Sequence, residues 1–465
     1  MTENQKDVYA KVAWKLLPIL FISYIVSYLD RVNIGFAALR MQQDLNFSDA
    51  IYGLGAGVFF IGYVLFEVPS NLFLTRIGAR KTIMRIMIAW GIVSSCMMFV
   101  KTPMQFYIIR FLLGAFEAGF FPGIILYLTY WFPAHRRGGI IAVFMSAIAI
   151  AGIVGGPVSG WIIKYMDGTH GLHGWQWMFL LEGAPAIILG IIAAFILADS
   201  PQEAKWLTAA ERSQIAREVG SPNDGSKHDL KDVVRNPRVY ALALVYFSVI
   251  CGLYILGFWL PSMIKNYGVA DPFHIGLLTA VPFIASALGM IIIGRHSDAT
   301  GERRWHLFSC MIVTAIALVA CTSVPDSLVL GLVFLSVAAV GLYAAMPLFW
   351  TIPTLYLSSN AAAGGIALIN SLALFGGFTS PAVLGFVKTN TGSINAGLYF
   401  FAAVLTVGAC VLIWTIPRRL IMGKSIHNPD MDAGRLVSRV AGSLGSLAEG
   451  NLAAGRFHAK DASAK

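Results

Sequence analysis

The sequence predicts an all-α membrane protein, twelve transmembrane helices in two six-helix bundles, and three observations carry that expectation. Of 465 residues, 57% are hydrophobic and only 12% charged, where a soluble domain carries roughly 25% charged residues. Mean hydropathy is +0.70. The apolar residues gather in twelve stretches close to the ~20 residues a helix needs to cross the hydrocarbon core. Together these exclude a cytoplasmic enzyme, a disordered chain and a secreted disulfide scaffold. Stretches of this length also exclude a β-barrel, whose strands alternate over about ten residues.

In chain order the predicted spans are 16–36, 51–73, 81–100, 104–131, 139–163, 176–197, 238–262, 273–294, 305–323, 328–355, 361–387 and 395–417. Lys6, Lys11 and Lys15 precede the first, which is span-length and lacks a small-residue cleavage site, so it is expected to be retained. Residues 198–237 form the one long polar break. The expected organisation is a six-helix bundle over 1–197, a central loop over 198–237, a second bundle over 238–417 and a largely disordered tail over 418–465, rich in Gly, Ala and Ser. Within the central loop, Thr208-Ala-Ala-Glu211 has the spacing of a capping box, so a short helix is expected to start there.

The excess of positive charge reads as topology. Of the 34 Lys+Arg, 27 fall on the segments before span 1, between alternate spans and after span 12, and only Arg40, Lys101, Lys164, Lys265 and Lys388 lie on the opposite loops. That bias places both termini and the central loop in the cytoplasm. Nucleic-acid binding is then not needed to explain the charge. The five cysteines all fall inside spans without paired spacing, and His170 and His173 have no ligand partner at metal spacing, so no metal site and no cofactor is expected.

The two halves share a motif. Asn71-Leu-Phe-Leu-Thr75-Arg76-Ile-Gly78-Ala-Arg80-Lys81 joins spans 2 and 3, and Gly294-Arg-His-Ser-Asp298-Ala-Thr-Gly301-Glu-Arg303-Arg304 joins spans 8 and 9. Each is a helix end, a glycine turn and a basic pair opening the next helix. The pattern resembles the loop motif of the major facilitator superfamily, which makes Arg76, Gly78, Arg80, Asp298, Gly301 and Arg303 candidate gating-loop residues. The first copy has Thr75 where the motif has an acid. In span 5, Gly152, Gly156-Pro157 and Gly160 recur every fourth residue, a spacing that lets helices approach closely.

Ionisable residues deep in a span cost a few kcal/mol by insertion scales and point to function. The deep charges are Asp30 and Arg31 in span 1 and Arg110 and Glu117 in span 4, while Glu67 and Glu182 lie nearer helix ends. Arg110 and Glu117 are seven apart and share a face; Arg110 either lines the bundle or reaches toward the interface. Arg31 shares a stripe with Tyr28, and Asp30 is rotated by about 100° from it. The four charges sum to zero. A carboxylate entering such a cluster leaves one negative charge in excess, costly in a low dielectric, and protonating Asp30 or Glu117 removes it. Anion and proton movement are therefore expected to be linked.

Long strings extend the resemblance to the anion:cation symporter family of that superfamily: Leu29-Asp30-Arg31-Val-Asn33-Ile-Gly-Phe, Phe66-Glu67-Val-Pro69-Ser70-Asn71, the run from Arg110 to Gly123, Gly174-Trp175-Gln-Trp177 through Glu182-Gly183, and Gly365-Ile-Ala-Leu-Ile-Asn370-Ser371. The resemblance implies a proton-coupled importer of a small organic anion, working as a monomer in a bacterial inner membrane. It implies Asp30 and Glu117 as proton-carrying acids, Arg31 and Arg110 as carboxylate-binding arginines, and Tyr28, Tyr63 and Asn370 as substrate contacts. Trp350, a large amphipathic side chain in span 10, is a further candidate beside packing. An anion exchanger or uniporter without proton coupling stays open, and a membrane sensor or enzyme is the remote alternative, since no nucleotide loop or nucleophile–base pair is legible.

Overall fold

The computed structural model describes residues 3–219, 235–356 and 359–415. The expected tail over 418–465 and part of the central loop lie outside the described residues. Among the described residues, twelve helices are long and apolar enough to cross a membrane: Val8–Asp44, Asp49–Ile77, Ala79–Phe99, Pro103–Thr129, His135–Tyr165, Gly174–Ile196, Pro237–Asn266, Pro272–Thr300, Arg304–Thr322, Leu328–Pro353, Gly365–Thr391 and Asn395–Thr415. These are spans 1 to 12. Each coincides with a predicted stretch, and several run a turn or two further, because a helix continues past its apolar segment until a cap or a glycine stops it.

The stops are chemical. Ser48 caps span 2 by accepting from Ile51 N, and Thr102 and Gln105 form a capping box ahead of Pro103 at span 4. Asp271 accepts from Phe273 N and His274 N at the start of span 8, and spans 2 and 8 end at Gly78 (φ +93°) and Gly301 (φ +67°). A side-chain oxygen satisfies backbone donors that the first turn leaves over, and only glycine reaches positive φ without a Cβ penalty. The expected short helix is present as Ala209–Val219. Its box is closed by Glu211 N donating to Thr208 Oγ1 and Thr208 N donating to Glu211 Oε2. That bond and Lys11 Nζ, 2.9 Å away, hold the Glu211 carboxyl below its usual range.

Span 3 packs on span 6, span 2 on span 4 and span 1 on spans 5 and 6; further along, span 9 packs on spans 10 and 12, span 8 on span 10, and span 7 on spans 11 and 12. The main pairs joining the first six spans to the last six are 5 with 8, 2 with 11 and 1 with 7, and span 1 also touches span 8. The small residues of span 5 sit at the first of these, Gly152 against the Phe283 ring, Gly156 against Thr279 and the Gly276 carbonyl, and Gly160 against the Pro272 carbonyl. A side chain there would force the backbones apart.

The joining contacts gather toward one end, opposite the loops that hold Gly78 and Gly301 (the basic end). Lys164 pairs with Asp271, Lys388 Nζ lies 3.0 Å from Asp49 Oδ1, Lys265 Nζ donates to Leu39 O at 3.2 Å, and Tyr52 Oη donates to Phe258 O at 2.7 Å. Among the described residues no comparable bond joins the halves at the basic end, so the bonds across the seam run from mid-span to the other end.

Candidate functional site

Two adjacent residues of span 1 point to different neighbours, as the 100° turn per residue requires. Arg31 turns toward spans 2, 4 and 7. Its Nη2 pairs with Glu117 Oε1, which also accepts from Ser27 Oγ at 2.9 Å; its Nη1 donates to Tyr254 Oη of span 7 at 3.3 Å. The guanidinium stands 5.4 Å from the Phe59 ring centroid and 5.2 Å from that of Tyr63. Asp30 turns toward span 3. It accepts from Trp90 Nε1 at 2.9 Å, Ser94 Oγ at 2.8 Å and Asn33 Nδ2 at 3.3 Å. Both residues are buried.

Arg110 is fully buried rather than reaching for an interface. Its Nε and Nη2 donate to the carbonyls of Gly55 and Ala56 in span 2, both at 3.2 Å, and its guanidinium stands 5.0 Å from the same Phe59 ring. Gly114, one turn along span 4, makes this possible, since a Cβ there would sit 1.8 Å from the Phe59 carbonyl oxygen. Arg110 forms no ion pair among the described residues, and its Nη1 is buried without an acceptor. The four charges are thus a pair, an acid among neutral donors and a cation on carbonyls.

The helices break where the charge sits. Span 4 is interrupted after Glu117 by Ala118 and Gly119 (φ +85°, ψ −5°), and a new helix starts at Phe120. A Cβ at Gly119 would meet the Ser70 side chain at 2.5 Å. Span 1 holds a single turn residue, Asn33, just after Arg31. Interrupted helices at mid-span are a recurring way to bind ions and substrate in transporters.

Tyr28 is buried with its hydroxyl 2.9 Å from that of Tyr343 in span 10, and Tyr63 lies against Arg31. Trp350 donates to Tyr246 Oη at 3.1 Å and packs edge-on against that ring, away from the arginines. Asn370 is half-buried in span 11, and no hydrogen bond joins it to another described residue. Sequence reasoning missed Trp90, Ser94 and Tyr343 as partners of this cluster. Glu182, expected near a helix end, is buried.

In the loops, Arg303 pairs with Asp298 and donates to Ser297 Oγ at 3.1 Å. Arg76 is exposed. Arg80 N donates to Asp199 Oδ1 at 2.8 Å, so the acid that the first copy lacks at Thr75 arrives from the end of span 6. Asp199 lies against Gly78 where a Cβ would be. A groove of about 800 Å³ lies between spans 8, 9 and 10, lined by apolar residues such as Val281, Val313 and Val337 and remote from the charges.

Residues 20–381 match the Major Facilitator Superfamily. The chain is 46% identical over 419 residues to the "Putative metabolite transport protein NicT" of Pseudomonas putida, an alignment covering 90% of this chain and 96% of that one. It is 47% identical over 409 residues to a "Putative tartrate transporter" of Agrobacterium vitis, covering 87% and 90%. The crystal structure of a D-xylose-proton symporter superposes with a TM-score of 0.70 at 14% identity, over 88% of this chain and 99% of that one, which speaks to the fold. Twelve apolar spans and buried charge beside the helix breaks of spans 1 and 4 are what such a carrier requires, and the chain belongs to the Major Facilitator Superfamily, as a multi-pass membrane transporter and not an enzyme.

Proposed function

We propose that the protein imports a small organic carboxylate by proton symport across a bacterial inner membrane, with the basic end and both termini in the cytoplasm. One observation carries this reading: the buried Arg31–Glu117 pair, in contact with Tyr254 of the other half. A substrate carboxylate that takes Arg31 as a bidentate partner strips Glu117 of its cation. A buried carboxylate without a partner is strongly unfavourable, and taking a proton relieves it. Anion and proton then favour each other's binding. Arg110, which has no acid of its own, is a second cation for the anion. Tyr28 and Tyr63 shape the approach to Arg31, and Asn370 and Trp350 are further candidate contacts from the other half. The halves rock about this midplane site so that access alternates. The tartrate transporter's name supports the carboxylate class.

The test is uptake into proteoliposomes. A pH gradient, acid outside, should drive accumulation of tartrate or another small carboxylate. Glu117→Gln should exchange substrate across the membrane yet fail to accumulate it. Arg31→Lys, which loses the planar fork, should lower uptake by about tenfold or more. Counterflow of equal rate at every pH, with no accumulation under a pH gradient, would replace this reading by an exchanger or uniporter.

A further inference from the structure

Spans 8 and 9 follow one another through the Gly301 turn, and each packs on span 10, yet hardly on the other. Close approaches set this arrangement. A Cβ at Gly289 of span 8 would sit 2.5 Å from Val340 of span 10, and one at Gly341 of span 10 would sit 2.7 Å from the Cys310 carbonyl oxygen of span 9. Span 10 is thus drawn against both neighbours and becomes the floor of the groove of about 800 Å³ between them. Along span 8 the lining runs from Leu278 to Ile293, roughly 20 Å at 1.5 Å per residue, which is more than half of the ~30 Å hydrocarbon core. Val281, Val313, Val333 and Val337 are exposed in it, and contiguous apolar surface of this kind on a spanning bundle meets lipid.

The lining changes character at the basic end, where span 9 contributes Trp305, His306 and Ser309. Spaced by three and four residues, they share one helix face. Trp305 Nε1 and the Ser309 hydroxyl make no hydrogen bond among the described residues. His306 Nε2 lies 2.7 Å from His296 Nδ1, while its Nδ1 is buried with no partner; when Nε2 accepts from His296, Nδ1 carries the hydrogen and is a further donor. Arg295, beside His296, is exposed and in no ion pair among the described residues. The two acids of the same turn are engaged, Asp298 with Arg303 and Glu302 as acceptor for Trp305 N. Arg304 is held by the Ile413 carbonyl. Donors and a cation without an uncommitted acid suit a phosphate and not an ammonium group.

We propose that the groove between spans 8, 9 and 10 binds an anionic phospholipid, its phosphate beside Arg295, Trp305 and His306, an ester oxygen at Ser309, and its acyl chains along Val313 and Val337. Trp305 stands where a tryptophan marks the headgroup level. Basic pockets between membrane helices collect such headgroups, and the cytoplasmic leaflet, which is anionic, supplies them. Only the choice of leaflet rests on the orientation proposed above; the site does not depend on symport. Span 8 also packs on span 5 across the seam, so a lipid seated against it braces a helix that the two halves share.

Thermal melting of the delipidated full-length protein in dodecylmaltoside micelles tests this, with dioleoylphosphatidylglycerol, dioleoylphosphatidylethanolamine or glycerol 3-phosphate added. Phosphatidylglycerol should raise the melting temperature by several degrees, as a ligand of the folded state does. Phosphatidylethanolamine should raise it less, and glycerol 3-phosphate not at all. Val313→Trp with Val337→Trp, which fills the groove, should lose the rise, and Arg295→Gln should bring the phosphatidylglycerol response down to that of phosphatidylethanolamine. An equal response of the parent protein to both lipids overturns the proposal, as does an undiminished response in the filled variant. If that variant does not fold, Arg295→Gln with Ser309→Ala decides in its place, and a response equal to the parent's overturns it. A rise with glycerol 3-phosphate alone assigns the donors to free phosphate and overturns it too. Since no transport is measured, failure here leaves the symport reading standing, and failure of Glu117→Gln to abolish accumulation leaves this one standing.

Discussion

Replacing Trp90 by Phe keeps an aromatic ring of span 3 beside Phe120 and removes one of the three donors to Asp30. A buried acceptor deprived of its donor costs about 1–3 kcal/mol, so the solubilised variant should melt several degrees below the parent. Added to Asp30→Asn, the same change should cost less than it does alone, because the acceptor has already been altered; equal costs in both backgrounds would show that the bond carries no energy. Asp30, Arg31, Arg110 and Glu117 were legible in the sequence because an ionisable residue is conspicuous in an apolar span. Their neutral partners were not. Trp90 lies 60 residues from Asp30, and Tyr343 lies 315 from Tyr28. A serine, tryptophan or tyrosine in a span has no periodicity that tells a partner from packing. Asp199, which accepts from Arg80 N from 119 residues away, was hidden for the same reason.

At the level of elements, the interruption at Gly119 sets where Glu117 points. Ala at 119 would need a left-handed conformation, with a cost of order 1–3 kcal/mol, and would also push on Ser70. Gly119→Ala should therefore lower the melting temperature and weaken carboxylate binding together, both read from one thermal-shift titration; an unchanged response would show that the break is incidental. The twelve spans themselves were readable, since helix length is set by the thickness of the hydrocarbon core. Their true ends were less so. Span 8 continues to Thr300, beyond the predicted 294, because the turn comes only at Gly301. The break inside span 4 was invisible, as glycine is common in membrane helices for packing alone.

For the whole molecule, the pairs Lys164–Asp271 and Lys388–Asp49 close the seam at the end opposite the basic loops. Lys164, helped by the backbone N–H groups of His274 and Phe273, holds the Asp271 carboxyl below its usual range. A lowered carboxyl stabilises the closed end above its unfolded pKa, and that contribution is lost only as pH falls through the lowered value. The Lys164–Asp271 pair is therefore intact between about pH 5 and 8, against an ordinary aspartate near 3.9. Partly exposed pairs contribute little each. Asp49→Asn with Asp271→Asn should shift the open population at that end by several-fold at most, seen as a longer component between spin labels at positions 46 and 391; an unchanged distribution would leave closure to helix packing alone. Finally, Phe59 touches both guanidiniums, so one ring of span 2 braces the cations of spans 1 and 4 together, and a change at that ring reaches both at once.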